Sequence, residues 1–135
     1  MCIRDRLNGP VKTTAECRAL LDEVHDGVRI DGVMVGRAAY QTPWMLSEVD
    51  SVLYGESCRT LTREAVIAAV EAEVEQYYAA DEHVIRAFAR HLNGLCQGLS
   101  GARVWRRTLA DPKIIKAEGP NLYRRAWREA FGTDF

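Results

Sequence analysis

Apolar residues along this chain follow two spacings, and the change falls near residue 55. Ahead of it, short apolar runs alternate with helical patterns. Leu7-Asn8-Gly9 reads as the exit of a strand. Thr13 or Thr14 can cap a helix through Cys17, Leu20, Leu21 and Val24, whose spacing gives one apolar face. Ile30-Asp31-Gly32-Val33-Met34-Val35 is a nearly continuous apolar run, as expected of a strand covered on both faces. Gly36 and Arg37 follow, and a second helix is predicted from about Ala38 through Trp44, Leu46, Val49 and Leu53. Pro43 falls near its start, where a missing N–H costs little. This β-α-β-α order implies a parallel sheet.

After Gly55-Glu56-Ser57 the spacing is helical throughout. Thr62 is predicted to cap a helix with Val66, Val70, Val74 and Tyr77 on one face. Asp81 starts a second, with Val84, Ile85, Phe88, Leu92 and Leu95 inward and Gly98 as its stop. Ser100 is the expected cap of a third, Gly101 to about Ala110, ended by Asp111-Pro112. A fourth spans about Pro120 to Ala130, with Leu122, Ala126 and Trp127 inward. Four short amphipathic helices predict a four-helix bundle.

Two parallel strands leave both edges open and cannot bury the faces their apolar runs require. The expectation is therefore that further strands of the sheet precede residue 7, and that residues 1–6 are foreign to the domain. The predicted organisation is a β/α segment over 7–54, a linker over 55–61 and a helical domain over 62–131.

Composition adds a charge asymmetry. The formal net charge is only -1. From Glu48 to Glu82, however, nine acids face two arginines, a local balance of -7, whereas Gly101 to Arg128 carries eight Lys and Arg against two acids, a balance of +6. A basic face of this size suits an anionic partner. On charge alone, a merely solvated basic face is an equal alternative. Cys2, Cys17, Cys58 and Cys96 form no CxxC pair, and reduced thiols in a cytoplasm are the expectation. His25, His83 and His91 form no metal pattern; His83 and His91 would lie roughly 12 Å apart along a helix. No apolar run approaches the ~20 residues of a membrane span.

The segments "LNGP" and "DGVMVGRAAY" are two strand exits separated by one helix. In a (β/α)8 barrel the loops after the last two strands commonly form a phosphate site. Gly9 and Gly36 let the backbone approach an anion closely, with Arg37 beside it. On their own, such glycines are more often plain tight-turn residues. In "SGARVWRR", Arg103 and Arg106 are three apart and share a helix face, while Trp105 points inward. Two guanidinium forks suit phosphate contacts or stacking on a splayed base. Lys113, Lys116, Arg124, Arg125 and Arg128 could extend that surface.

"DGVMVGRAAYQTPW" and "HLNGLCQGLSGARVWRRTL" closely resemble the C-terminal part of bacterial tRNA-dihydrouridine synthases of the A type, over Leu7 to about Leu109. The resemblance implies an FMN-binding TIM barrel followed by a four-helix domain, in a cytoplasmic enzyme, monomeric at full length, that reduces D-loop uridines of tRNA with NADPH. This chain would hold the barrel's last two β/α units and the helical tRNA-binding domain. Asn8-Gly9-Pro10 matches the family's Asn-Gly-Gly, and Gly36-Arg37 its Gly-Arg; both would grip the FMN phosphate. Pro10 departs from that pattern and has no N–H to offer. Residues His25 to Arg29 lengthen the connection before the last strand. Arg103 and Arg106 stand where the family's subfamily-specific tRNA contacts are expected. The family's catalytic cysteine matches none of the four here, so no catalytic residue and no metal ligand is expected in this chain. The alternatives are a non-enzymatic RNA-binding helical module with a vestigial β/α lead-in, and a fragment of another FMN barrel such as a dihydroorotate dehydrogenase.

Overall fold

A computed structural model describes residues 5–24, 26–57, 61–78 and 81–134. Cys2, His25 and Cys58, and most of the segment 1–6, lie outside the described residues. The chain forms two compact units, Met1–Thr60 and Leu61–Phe135.

In the first unit, β1 (Arg6–Asn8) pairs in parallel with β2 (Gly32–Met34), Leu7 opposite Val33, and Asp31 N donates to Asp5 O at 2.8 Å just ahead of the ladder. The crossover between them is α1 (Thr14–Asp22). Thr13 caps it: its Oγ1 accepts from Glu16 N at 3.1 Å, while Glu16 Oε2 accepts from Lys12 N at 2.7 Å. This is a capping box shifted one residue outward. Cys17 and Thr14 are buried beneath α1, and Thr14 Oγ1 donates to Glu48 Oε2 at 2.8 Å. Val24, expected on the helix face, lies beyond its end and is exposed.

Two expectations for this unit fail. The strand run is not covered on both faces: Val33 is half-buried and Met34 and Leu7 are exposed, because a two-stranded ladder has no layer to bury them. The helix expected from Ala38 to Leu53 is also broken, into α2 (Arg37–Gln41), a 3-10 segment Pro43–Glu48 and α3 (Val49–Tyr54). Pro43 removes an N–H and pushes Thr42 out of the helical region, to φ -136° and ψ 64°. Thr42 closes α2 instead, with both N and Oγ1 donating to Ala38 O.

The second unit contains α4 (Arg63–Tyr78), α5 (Glu82–Leu92), α6 (Ala102–Ala110), α7 (Pro112–Glu118) and α8 (Leu122–Phe131). Among the described residues these are five helices, not the expected four-helix bundle. Asp111 closes α6 and also caps α7, accepting from Lys113 N and Ile114 N, with Pro112 in the first turn where its missing N–H is no loss. One dipeptide serves as stop and start. Asp81 caps α5 and Thr62 Oγ1 accepts from Ala65 N at the start of α4.

The core lies where α5, α6 and α8 meet. Trp105, Leu109, Leu122, Tyr123 and Trp127 are buried in it. Trp105 Nε1 donates to Leu92 O at 3.0 Å, and Tyr123 Oη donates to Ile85 O at 2.9 Å. On α4, Val74 faces inward as expected, but Ile67 and Glu71 are buried with it in place of Val66 and Val70, which are half-buried, and Tyr77 is exposed. Glu71 tolerates burial because Arg124 of α8 donates to its carboxylate from both Nε and Nη2, the latter at 2.7 Å.

Ser100 makes no cap. Gly101 is the N-cap of α6 and has no side-chain capping bond. Its missing side chain is a packing requirement: a Cβ there would sit 2.4 Å from Ala130 O and 2.7 Å from Phe131 Cε1. Gly101→Ala is therefore expected to push α6 from α8 and to destabilise the unit by about 1–3 kcal/mol, several degrees in Tm. Thermal unfolding followed by circular dichroism checks this, and an unchanged midpoint would contradict the contact.

Candidate functional site

The loops that leave β1 and β2 border one cavity of about 460 Å³ in the first unit. Gly9, Pro10, Gly36 and Arg37 line it together, and Asn8 stays in β1, outside the lining. Lys12, Gln41 and Thr42 also line it. None of these three stood out in the sequence. For Lys12 the available signal was a cation three residues past Gly9 in the same loop.

Backbone conformation does not explain the two glycines. Neither Gly9 nor Gly36 is among the positive-φ residues, and Gly36 has φ -100°. Packing does not explain them either. The nearest atoms to an added Cβ are Leu7 Cγ at 3.8 Å and Met34 Sδ at 3.6 Å, ordinary contacts. What their missing side chains do provide is open backbone beside the cavity.

The second unit sorts its arginines by partner. On α6, Arg103, Arg106 and Arg107 are exposed. Arg106 Nη1 donates to Gln97 Oε1 at 2.7 Å; Arg103 makes no hydrogen bond or ion pair among the described residues. On α8 every arginine is engaged: Arg124 with Glu71, Arg125 with Glu118 and Glu129, and Arg128 with Asp134. Glu129 also accepts from Thr108 Oγ1 at 2.7 Å, and this bond, with Arg125, holds its carboxyl below the usual range. Lys113 and Lys116 are exposed on α7. The basic balance of this stretch is thus divided between open cations on α6 and α7 and neutralised ones on α8.

The family profile described as "Dihydrouridine synthase (Dus)" matches residues 6–131. The chain belongs to the dihydrouridine synthase family. Among curated proteins it is 48% identical over 99 residues to a tRNA-dihydrouridine(20/20a) synthase of Shewanella oneidensis, covering 73% of this chain and 29% of that one. Proteins of the same name from Pseudomonas putida and Vibrio vulnificus are 38% and 34% identical over 117 and 120 residues. These cover 84% and 89% of this chain, and 32% and 35% of theirs. The chain thus spans about a third of the length of the curated relatives it matches. The A-type resemblance of "DGVMVGRAAYQTPW" and "HLNGLCQGLSGARVWRRTL" is borne out.

Dihydrouridine synthases are oxidoreductases acting on tRNA, and they are generally flavin-dependent. The two described cysteines are buried, Cys17 on the inner face of α1 and Cys96 ahead of α6. Burial raises both thiols, that of Cys96 to about 12. Cys96 is fully buried in the second unit. Among the described residues no group of three His, Cys, Asp or Glu is placed to hold a metal ion, and no helix is long and apolar enough to cross a membrane.

Proposed function

We propose that this chain supplies two parts of an FMN- and NADPH-dependent tRNA-dihydrouridine synthase. One is the phosphate end of the flavin site, from the last two β/α units of the barrel; the other is a tRNA-contacting helical surface. The observation that carries this reading is the family match across residues 6–131, which spans both the glycine-lined cavity and α6. The cavity suits a phosphate: its lining has two cations, two glycines and no carboxylate. Asn8, Gly9, Pro10, Gly36 and Arg37 would hold the FMN there, with Arg37 as a charge-assisted donor. Once held there, FMN would supply hydride transfer to the uracil ring of a D-loop uridine.

This chain's own residues bind and orient. Arg103 and Arg106 present two forks from one exposed face of α6 and would take tRNA phosphates or stack on an unpaired base. The arginines of α8 already answer carboxylates and serve that surface less. Both described cysteines are buried, and neither would serve as proton donor to a uracil ring. Given tRNA, FMN and NADPH, the chain is therefore expected to bind tRNA and leave its uridines unreduced, as read by mass spectrometry of the digested RNA. Dihydrouridine formed by this chain would contradict the division of roles. Phosphate binding at the glycine-lined cavity separates this reading from a non-enzymatic RNA-binding module, which needs no such site.

A further inference from the structure

Lys12 lines the same cavity as Gly9, Pro10, Gly36 and Arg37. Among the described residues neither Lys12 nor Arg37 has an ion-pair partner. The one carboxylate close to Lys12 in sequence, Glu16, is occupied with backbone: its Oε2 accepts from Lys12 N at 2.7 Å as part of the α1 cap. The same bond anchors Lys12 at the rim. Two other cavities of the chain are each lined by carboxylates, Glu118 and Glu129 in one and Glu75, Asp81 and Glu82 in the other. In a chain with 19 acids, two uncompensated cations around one acid-free cavity make a site for a dianion.

The cavity also has a gap in its donors. Pro10 stands between Gly9 and Lys12 and has no N–H to give. We propose that Lys12 is a second cationic ligand of the phosphate at this cavity, replacing through its Nζ the donor that Pro10 lacks. This rests on reading the cavity as a phosphate site, and the ligand chemistry is that of a terminal, doubly ionised phosphate monoester. An RNA backbone phosphate is a singly charged diester and gains less from two cations.

The test is titration of the isotope-labelled 135-residue chain with inorganic phosphate, followed through the amide signals of Gly9, Gly36 and Arg37. Lys12→Met is expected to weaken phosphate binding about tenfold or more, the effect of removing one charge-assisted bond, and Lys12→Arg to restore most of it. In a Pro10→Gly background the penalty of Lys12→Met should shrink, because the backbone donor has returned. Unchanged signals elsewhere in the first unit establish that each variant is folded. Wild-type binding that survives Lys12→Met but not Arg37→Met would overturn the role of Lys12 and leave the phosphate site standing. No response of the wild-type cavity to phosphate would overturn both. Equal affinity for dimethyl phosphate, a stand-in for the RNA diester, would also overturn the proposal and assign the cavity to RNA.

Discussion

Trp105→Ala is expected to abolish the folded state of the helical unit. The indole is fully buried, packs edge-on against Trp127 at 6.3 Å between centroids, and sits behind the Trp127–Phe131 pair at 4.3 Å. Truncating a buried aromatic costs about 3–5 kcal/mol. The Leu92 carbonyl, which accepts from Trp105 Nε1, would be left without its donor, adding about 1–3 kcal/mol. At roughly 0.05–0.15 kcal/mol per residue, a unit of this size has only about 4–11 kcal/mol of stability to lose. The deficit therefore reaches the whole. Trp105→Phe separates the two contributions: it keeps most of the ring, removes the hydrogen bond, and should cost nearer 1–3 kcal/mol. Helical circular dichroism against temperature gives both values. A cooperative transition retained in the alanine variant near the wild-type midpoint would mean that the core is centred elsewhere.

What could be read in advance was whatever depends on near neighbours in sequence. The caps Thr13, Thr62 and Asp81 act within three residues of themselves, and Trp105 points inward because Arg103 and Arg106 share the other face of α6. Features decided at longer range were not readable. Glu71 interrupts the apolar stripe of α4, and the partner that permits its burial, Arg124, is 53 positions away. Gly101 resembles an ordinary cap residue until the backbone of Ala130 is brought against it. Prolines misled in both directions, because the same residue can open a helix or break one. Pro112 opens α7, which at seven residues is too short to show a period. Pro43 breaks a helix whose apolar spacing continued through it. At the cavity, Gly36 and Arg37 were legible from the strand exit, whereas Lys12 is brought to the lining by the turn that α1's cap fixes.

Substitution of Arg103 and Arg106 is the second large effect expected, and it falls on RNA binding with stability untouched. Both side chains are exposed on α6 and neither is neutralised, so substitution removes no internal ion pair. Each charge-assisted bond to RNA is worth about 1.5–3 kcal/mol, roughly ten- to hundredfold in affinity. Lys at either position should recover only part of this, since a point charge cannot reproduce a planar fork. Arg125 and Arg128 already face Glu118, Glu129 and Asp134. Their replacement should change affinity about fivefold or less, the scale of exposed ion pairs. The salt dependence carries the same distinction, because removing each phosphate interaction lowers the slope of log affinity against log salt by about one. The decisive measurement is the tRNA affinity of the chain at two salt concentrations, wild type against Arg103→Ala with Arg106→Ala, and against Arg125→Ala with Arg128→Ala. A weakening of about a hundredfold or more, with a shallower salt slope, is expected for the first pair only. Unchanged affinity in the first pair, with binding abolished in the second, would contradict it and move the RNA surface from α6 to α8.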